Sequence, residues 1–116
     1  RSVGGQCFHV SKQLATWAEA VTTCDVRGAV LAQVKDPKTF RTYMKENFYG
    51  KVFWLGASDM VHEGWWVWVS GGLVSPRFSW PEGAPSGGTN ENCLSIGHDN
   101  DYDDEPCDTL HYYICE

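Results

Sequence analysis

Two stretches of the N-terminal half carry apolar residues at helical spacing. In TWAEAVTTCDVRG, Trp17, Ala20, Val21 and Cys24 form one stripe, the repeat expected of a helix with a single buried face. Thr16 with Glu19 three residues later is a capping box that starts this helix, and Gly28 is its natural C-terminal stop. A second helix is predicted from DPKTF, where Asp36 caps and Pro37 takes the first helical position. Phe40, Tyr43 and Met44 share its apolar face, and it should fade between Asn47 and Gly50. Two short runs, AVLAQV and Val52 to Ala57 (VFWLGA), are continuously apolar and read as buried strands. From Asp59 onward the helical period is gone. Aromatic runs such as GWWVWVSGG alternate with Gly and Pro punctuation through PEGAPSGGTNENC, which predicts strands and long loops.

Composition bounds this picture. The chain has 116 residues, and 42% hydrophobic content with six Trp, five Tyr and five Phe can fill the core of one compact domain. No internal repeat or low-complexity linker divides it. Five cysteines without a C-x-x-C pair suit a disulfide framework better than a zinc or redox motif, and so point outside the cell. There is no apolar run of about 20 residues, so no membrane insertion is expected within this segment. The opening RSVGGQC lacks the apolar core of a signal peptide, and the segment reads as mature or excised.

Charge is divided unevenly. Of the net −6, residues 1–58 carry eight Lys and Arg against four Asp and Glu, while residues 59–116 carry Arg77 alone against eleven acids. The second half is therefore a poor nucleic-acid binder and a good candidate for binding a cation. Its densest stretch runs from His98 to Glu105 and holds Asp99, Asp101, Asp103, Asp104 and Glu105. Two carboxylates about 4 Å apart repel by roughly 4 kcal/mol at a protein surface. Such a run is either splayed into solvent or wrapped around a cation. An EF-hand loop starting at Asp99 is excluded, because Asp104 stands where Gly is required and Leu110 where Glu is required. His9, His62, His98 and His111 lack zinc-hydrolase spacing, and no nucleophile elbow or glycosidase pair is present, so no enzyme is expected. Only His98, beside the acids, is placed to couple pH to cation binding.

The ordered signposts CFHVS, TWAEAVTTC, LAQV, FWLGASD, GWWVWVSGG, SW, NENC and YYIC resemble the C-type lectin-like domain, from about Gly5 to Glu116. The resemblance implies an α+β fold: two helices flanking a mixed, mostly antiparallel sheet, with a long stapled loop region. It implies disulfides Cys24 to Cys115 and Cys93 to Cys107. Cys7 is left over, either the remnant of an N-terminal hairpin that this segment lacks or a bond to another chain.

Sugar-binding members hold calcium through an E-P-N or Q-P-D tripeptide, a Glu two residues before a Cys, and a W-N-D tripeptide. By resemblance Glu91 fills the second place, and Asp103 and Asp104 the third, with Tyr102 where the family prefers Trp. The first tripeptide is degraded to Ala84, Pro85 and Ser86; a shift of two residues would bring in Glu82 but replace the proline by Gly83. An auxiliary calcium site is implied at Asp59 and Glu63, sharing Glu91, although Gly87 and Asn92 stand where further carboxylates are often found. Trp17, Trp54, Trp66 and Trp80 match core positions, leaving Trp65, Trp68 and Tyr102 as candidate surface contacts. The implied function is a secreted or extracellular, calcium-dependent glycan-recognition module of the pattern-recognition, innate-immunity type. Its ligand is a glycan or glycoprotein. The alternative is a domain that binds a protein ligand with calcium structural or absent.

Overall fold

The computed structural model describes residues 2–3, 6–61, 65–74, 92–98 and 101–116. Two short strands, β1 (Ser2–Val3) and β2 (Gln6–Cys7), pair as an antiparallel hairpin, and β3 (His9–Val10) follows. Helix α1 (Trp17–Val26) starts at Thr16 with both halves of the capping box formed and ends before Gly28, whose φ is +75°. Helix α2 (Pro37–Asn47) is capped by the Asp36 side chain, with Pro37 at its first position. The remaining strands are β4 (Phe53–Ser58), β5 (Val67–Trp68), β6 (Cys93–His98), β7 (Asp101–Glu105) and β8 (Tyr112–Cys115).

The main sheet has the order β3-β8-β4-β6-β7, with β5 added to β4. Among the described strands only the β4–β8 pair is parallel; the other described pairs are antiparallel. Strand β4 is central and buried at every position, which explains its unbroken apolar sequence. A strand covered on both faces does not alternate. Phe53, Leu55 and Ala57 belong to one core with Phe40 and Met44 of α2, Leu94, Ile96 and Ile114. Trp54 belongs to the other, with Trp17, Ala20 and Cys24 of α1, Leu31 and Tyr113. Each helix thus seals one face of the sheet. The indole N–H groups of Trp17 and Trp54 donate to the Leu55 and Ala15 carbonyls at 2.8 and 3.0 Å, so neither burial leaves a polar group wanting.

The expected strand in AVLAQV does not form. Leu31 makes a single bridge to Cys115, and the segment crosses the sheet: Ala32 donates to the Ile114 carbonyl, and Gly56 donates to the Ala32 carbonyl. The run is apolar because Leu31, Ala32 and Val34 are buried, but its backbone serves two strands in passing. A Cβ on Gly56 would collide with the Leu31 carbonyl, so the crossing requires glycine there.

Both expected disulfides are present, Cys24–Cys115 and Cys93–Cys107. Cys7 is exposed and carries a free thiol.

Candidate functional site

Strands β6 and β7 form the hairpin that carries the acidic run. The turn-proximal Gly97 has φ +121°, and a Cβ there would meet the Lys51 carbonyl. The register sets Leu94 opposite Asp104, Ser95 opposite Asp103 and Ile96 opposite Tyr102. Side chains alternate across a strand. Tyr102 and Asp104 accordingly point inward and are fully buried, whereas Asp101, Asp103 and Glu105 are half-buried on the other face.

The two ends of β7 are tied to the fold. Asp101 lies 3.3 Å from the Arg41 guanidinium on α2, and its Oδ1 accepts the Tyr102 N–H at 2.8 Å. Glu105 lies 3.0 Å from His111 Nε2 and accepts the Ser95 hydroxyl. Asp99 lies outside the described residues, and the described acids of the run are neither wholly splayed nor wholly gathered on one ion. Arg41 and His111 were not singled out from the sequence: they lie 60 and 6 residues from the acids they meet, and nothing local marks them.

Between those ends sit Asp103 and Asp104, with the Asp103 Oδ1 accepting the Asp104 N–H at 2.9 Å. The Cys93–Cys107 bond, with Cα atoms 5.2 Å apart, closes the base of the hairpin beside them. Asp59, at the end of β4, is buried, and its N–H donates to the carbonyl of Asn92 at 3.0 Å. The fold thus brings the candidate auxiliary acid to the residue that follows Glu91 in the chain. Glu91 itself, Glu63, Ala84, Pro85, Ser86, Glu82, Gly87 and Trp80 lie outside the described residues.

Two expected surface contacts are corrected. Tyr102 is in the core, its hydroxyl donating to the Pro37 carbonyl at 2.6 Å, so it cannot stack on a ligand. Trp68 is also buried, because its strand packs on β4. Trp65 alone of the three is exposed.

The donor chemistry at Asp103 and Asp104 fits a hard cation. Both offer carboxylate oxygens, and the neighbouring cysteines are locked in a disulfide and supply no thiolate, which favours calcium over zinc. Among the described residues no three His, Cys, Asp or Glu side chains converge as a metal cluster. A calcium ion takes six to eight oxygens, so these two would need donors from residues outside that set.

The family model of the lectin C-type domain matches residues 13–116. The CD209 antigen of Macaca mulatta is 30% identical over 115 residues, which is 97% of this chain and 28% of that protein; the chain spans under a third of that relative's length. The mouse scavenger receptor C-type lectin carbohydrate-recognition domain superposes with a TM-score of 0.83 at 23% identity, covering 94% of this chain and 85% of that one. A calcium-independent type II antifreeze protein superposes with a TM-score of 0.80 at 28% identity, covering 94% and 83%. The chain belongs to the C-type lectin domain family, whose members are binding proteins and not enzymes.

Proposed function

We propose that this domain is a secreted or extracellular glycan-recognition module in which Glu91, Asp103 and Asp104 hold a calcium ion, with Asp59 and Glu63 at an auxiliary site. One observation supports the reading: β7 carries consecutive carboxylates at 103 and 104, Asp103 on its half-buried face and Asp104 on its buried one, in a hairpin closed at its base by Cys93–Cys107. Calcium, when bound, supplies coordination positions that vicinal sugar hydroxyls can complete. The chain's own part is to fix two oxygen donors on a strand anchored at both ends. Ala84, Pro85 and Ser86 in place of the sugar-selecting tripeptide remove a carboxylate and an amide. Losing two hydrogen bonds to charged groups, at roughly 1.5–3 kcal/mol each, weakens monosaccharide binding about a hundredfold or more. The module should therefore favour extended or multivalent glycans such as microbial polysaccharides.

The test is a calcium titration followed by a glycan array with and without chelator. Calcium at a hundred times its Kd should stabilise the fold by about 2.7 kcal/mol, and Asp103→Ala together with Asp104→Asn should abolish that gain. No heat and no shift in melting temperature would sink the calcium reading.

A second reading has its own support. Met60, Val61, Trp65 and Leu73 are exposed apolar side chains around β5, Val61 at 90% and Trp65 at 61%. The similar antifreeze protein described as calcium-independent has the same fold without that dependence. A protein ligand covering this apolar surface, with calcium structural or absent, is the outcome favoured if the array stays silent.

A further inference from the structure

At the sheet edge opposite β7, a groove of about 500 Å³ opens between the N-terminal strand and the end of α2. It is built by a specific chain path. Helix α2 ends at Asn47 with Phe48 as its C-cap, the chain turns through Gly50 at φ +83°, and the Lys51 N–H donates back to the Phe48 carbonyl at 3.2 Å. That turn sets Lys51 Nζ 5.6 Å from the centre of the Tyr112 ring. The parallel register puts Phe53 beside Tyr112, with ring centres 5.7 Å apart, and Phe48 packs on Phe53 at 5.4 Å. Phe8, Val10 and Lys12 from the N-terminal segment complete the lining.

The lining has one sign of charge. Lys12 and Lys51 are its charged groups, with the His9 imidazole and the Ser11 hydroxyl beside them, and among the described residues no carboxylate lines it. That holds in a chain of net charge −6. Aromatic walls with a few placed polar groups, in a volume within the usual range of about 300–1,000 Å³, are the build of a small-ligand pocket. Lysine stems alone can cover apolar surface, but two ammonium groups without a counter-carboxylate favour an anion.

We propose that this groove binds a small amphiphilic anion, an aliphatic or aromatic carboxylate, sulfate or phosphate monoester, whose apolar body lies on the partly exposed Val10, Phe48 and Tyr112, over the buried Phe8 and Phe53, and whose head meets Lys12 and Lys51. The site is independent of Asp103, Asp104 and calcium.

Calorimetric titration of the chain with decanoate below its micelle concentration, in chelator and again in calcium, tests it. Decanoate should bind equally in both. Decyltrimethylammonium, with the same chain and the opposite charge, should bind at least about tenfold more weakly, and acetate or inorganic phosphate should give no heat. Lys12→Gln with Lys51→Gln should weaken decanoate about tenfold per ammonium removed while leaving the melting temperature in chelator unchanged, which verifies folding. Hydrogen exchange should slow at residues 8–12 and 48–53. Equal binding of the two decyl probes, unchanged affinity in the double variant, or protection around Met60, Val61 and Trp65 instead would overturn the proposal. So would binding to phosphatidylglycerol vesicles without binding to free decanoate.

Discussion

The Tyr102 hydroxyl donates to the Pro37 carbonyl in the first turn of α2, and the ring is closed off by Ile96 and the rest of that core. Burial pushes this phenol far above the ordinary tyrosine value of 10.0; Asp101 and Asp36 push it the same way, and Arg41 opposes them. The sign of the consequence is fixed. The unfolded chain releases this proton as pH rises through 10 and the folded chain keeps it, so the stability from burying neutral Tyr102 is whole below pH 10 and is lost progressively above it. Tyr102→Phe should cost about 1 kcal/mol at pH 8 through the lost hydrogen bond. Denaturant titrations at pH 8 and pH 11 should show a smaller alkaline loss in the variant than in the parent; equal losses would dismiss the buried phenol as the cause. Why the sequence misplaced this residue is plain from DYDDE. A strand's period of two shows only when inward positions are apolar, and here one of the two inward positions is Asp104.

At the scale of the element, what could be read in advance was what local chemistry decides. The capping box of α1 and the Asp36–Pro37 start of α2 act over three or four residues, and both helices begin where those signals stand. AVLAQV failed because a buried crossing and a buried strand share the same apolar signature, and the choice between them rests on Gly56 and Ile114, far along the chain. The hairpin of β6 and β7 depends on Gly97 in the same way. Gly97→Ala combines a positive φ with a collision against the Lys51 carbonyl, costs of about 1–3 kcal/mol each, and should lower the melting temperature accordingly; a neutral result would show that the hairpin can move away from Lys51. Removing the Cys93–Cys107 tie, with its separation of 14 residues, should cost about 3 kcal/mol in the chain-entropy model. Its larger effect should be on the candidate site. With the hairpin base untied, Asp103 and Asp104 lose their fixed spacing, so Cys93→Ser with Cys107→Ser should weaken the proposed calcium binding more than the fold. Calorimetric calcium affinity set beside denaturant stability separates the two.

For the whole molecule the decisive constraint is the closure of the chain ends. Cys24–Cys115 spans 91 residues and fastens α1 to β8. Around it Val30 and Glu116 exchange backbone hydrogen bonds at 3.2 and 2.7 Å, and the Gln6 side chain donates to the Gln33 carbonyl and to the Glu116 carboxylate, both at 2.7 Å. The N-terminal hairpin, the crossing segment and the C-terminus therefore meet at one place. In the chain-entropy model a loop near 100 residues is worth about 4.7 kcal/mol when closed, against about 5–15 kcal/mol for the whole stability of a domain. Cys24→Ser with Cys115→Ser should thus remove a large part of the total and lower the melting temperature of the entire domain, with both cores failing together because β8 contributes Ile114 to one and Tyr113 to the other. The contrast with the hairpin disulfide is the measurement. Thermal unfolding followed by far-ultraviolet and near-ultraviolet circular dichroism should shift in step for Cys24→Ser with Cys115→Ser. For Cys93→Ser with Cys107→Ser the main transition should persist, with calcium stabilisation reduced. If the two pairs prove interchangeable in cost and in calcium response, closing the ends has no special weight and the division between a fold-holding and a site-holding disulfide is wrong.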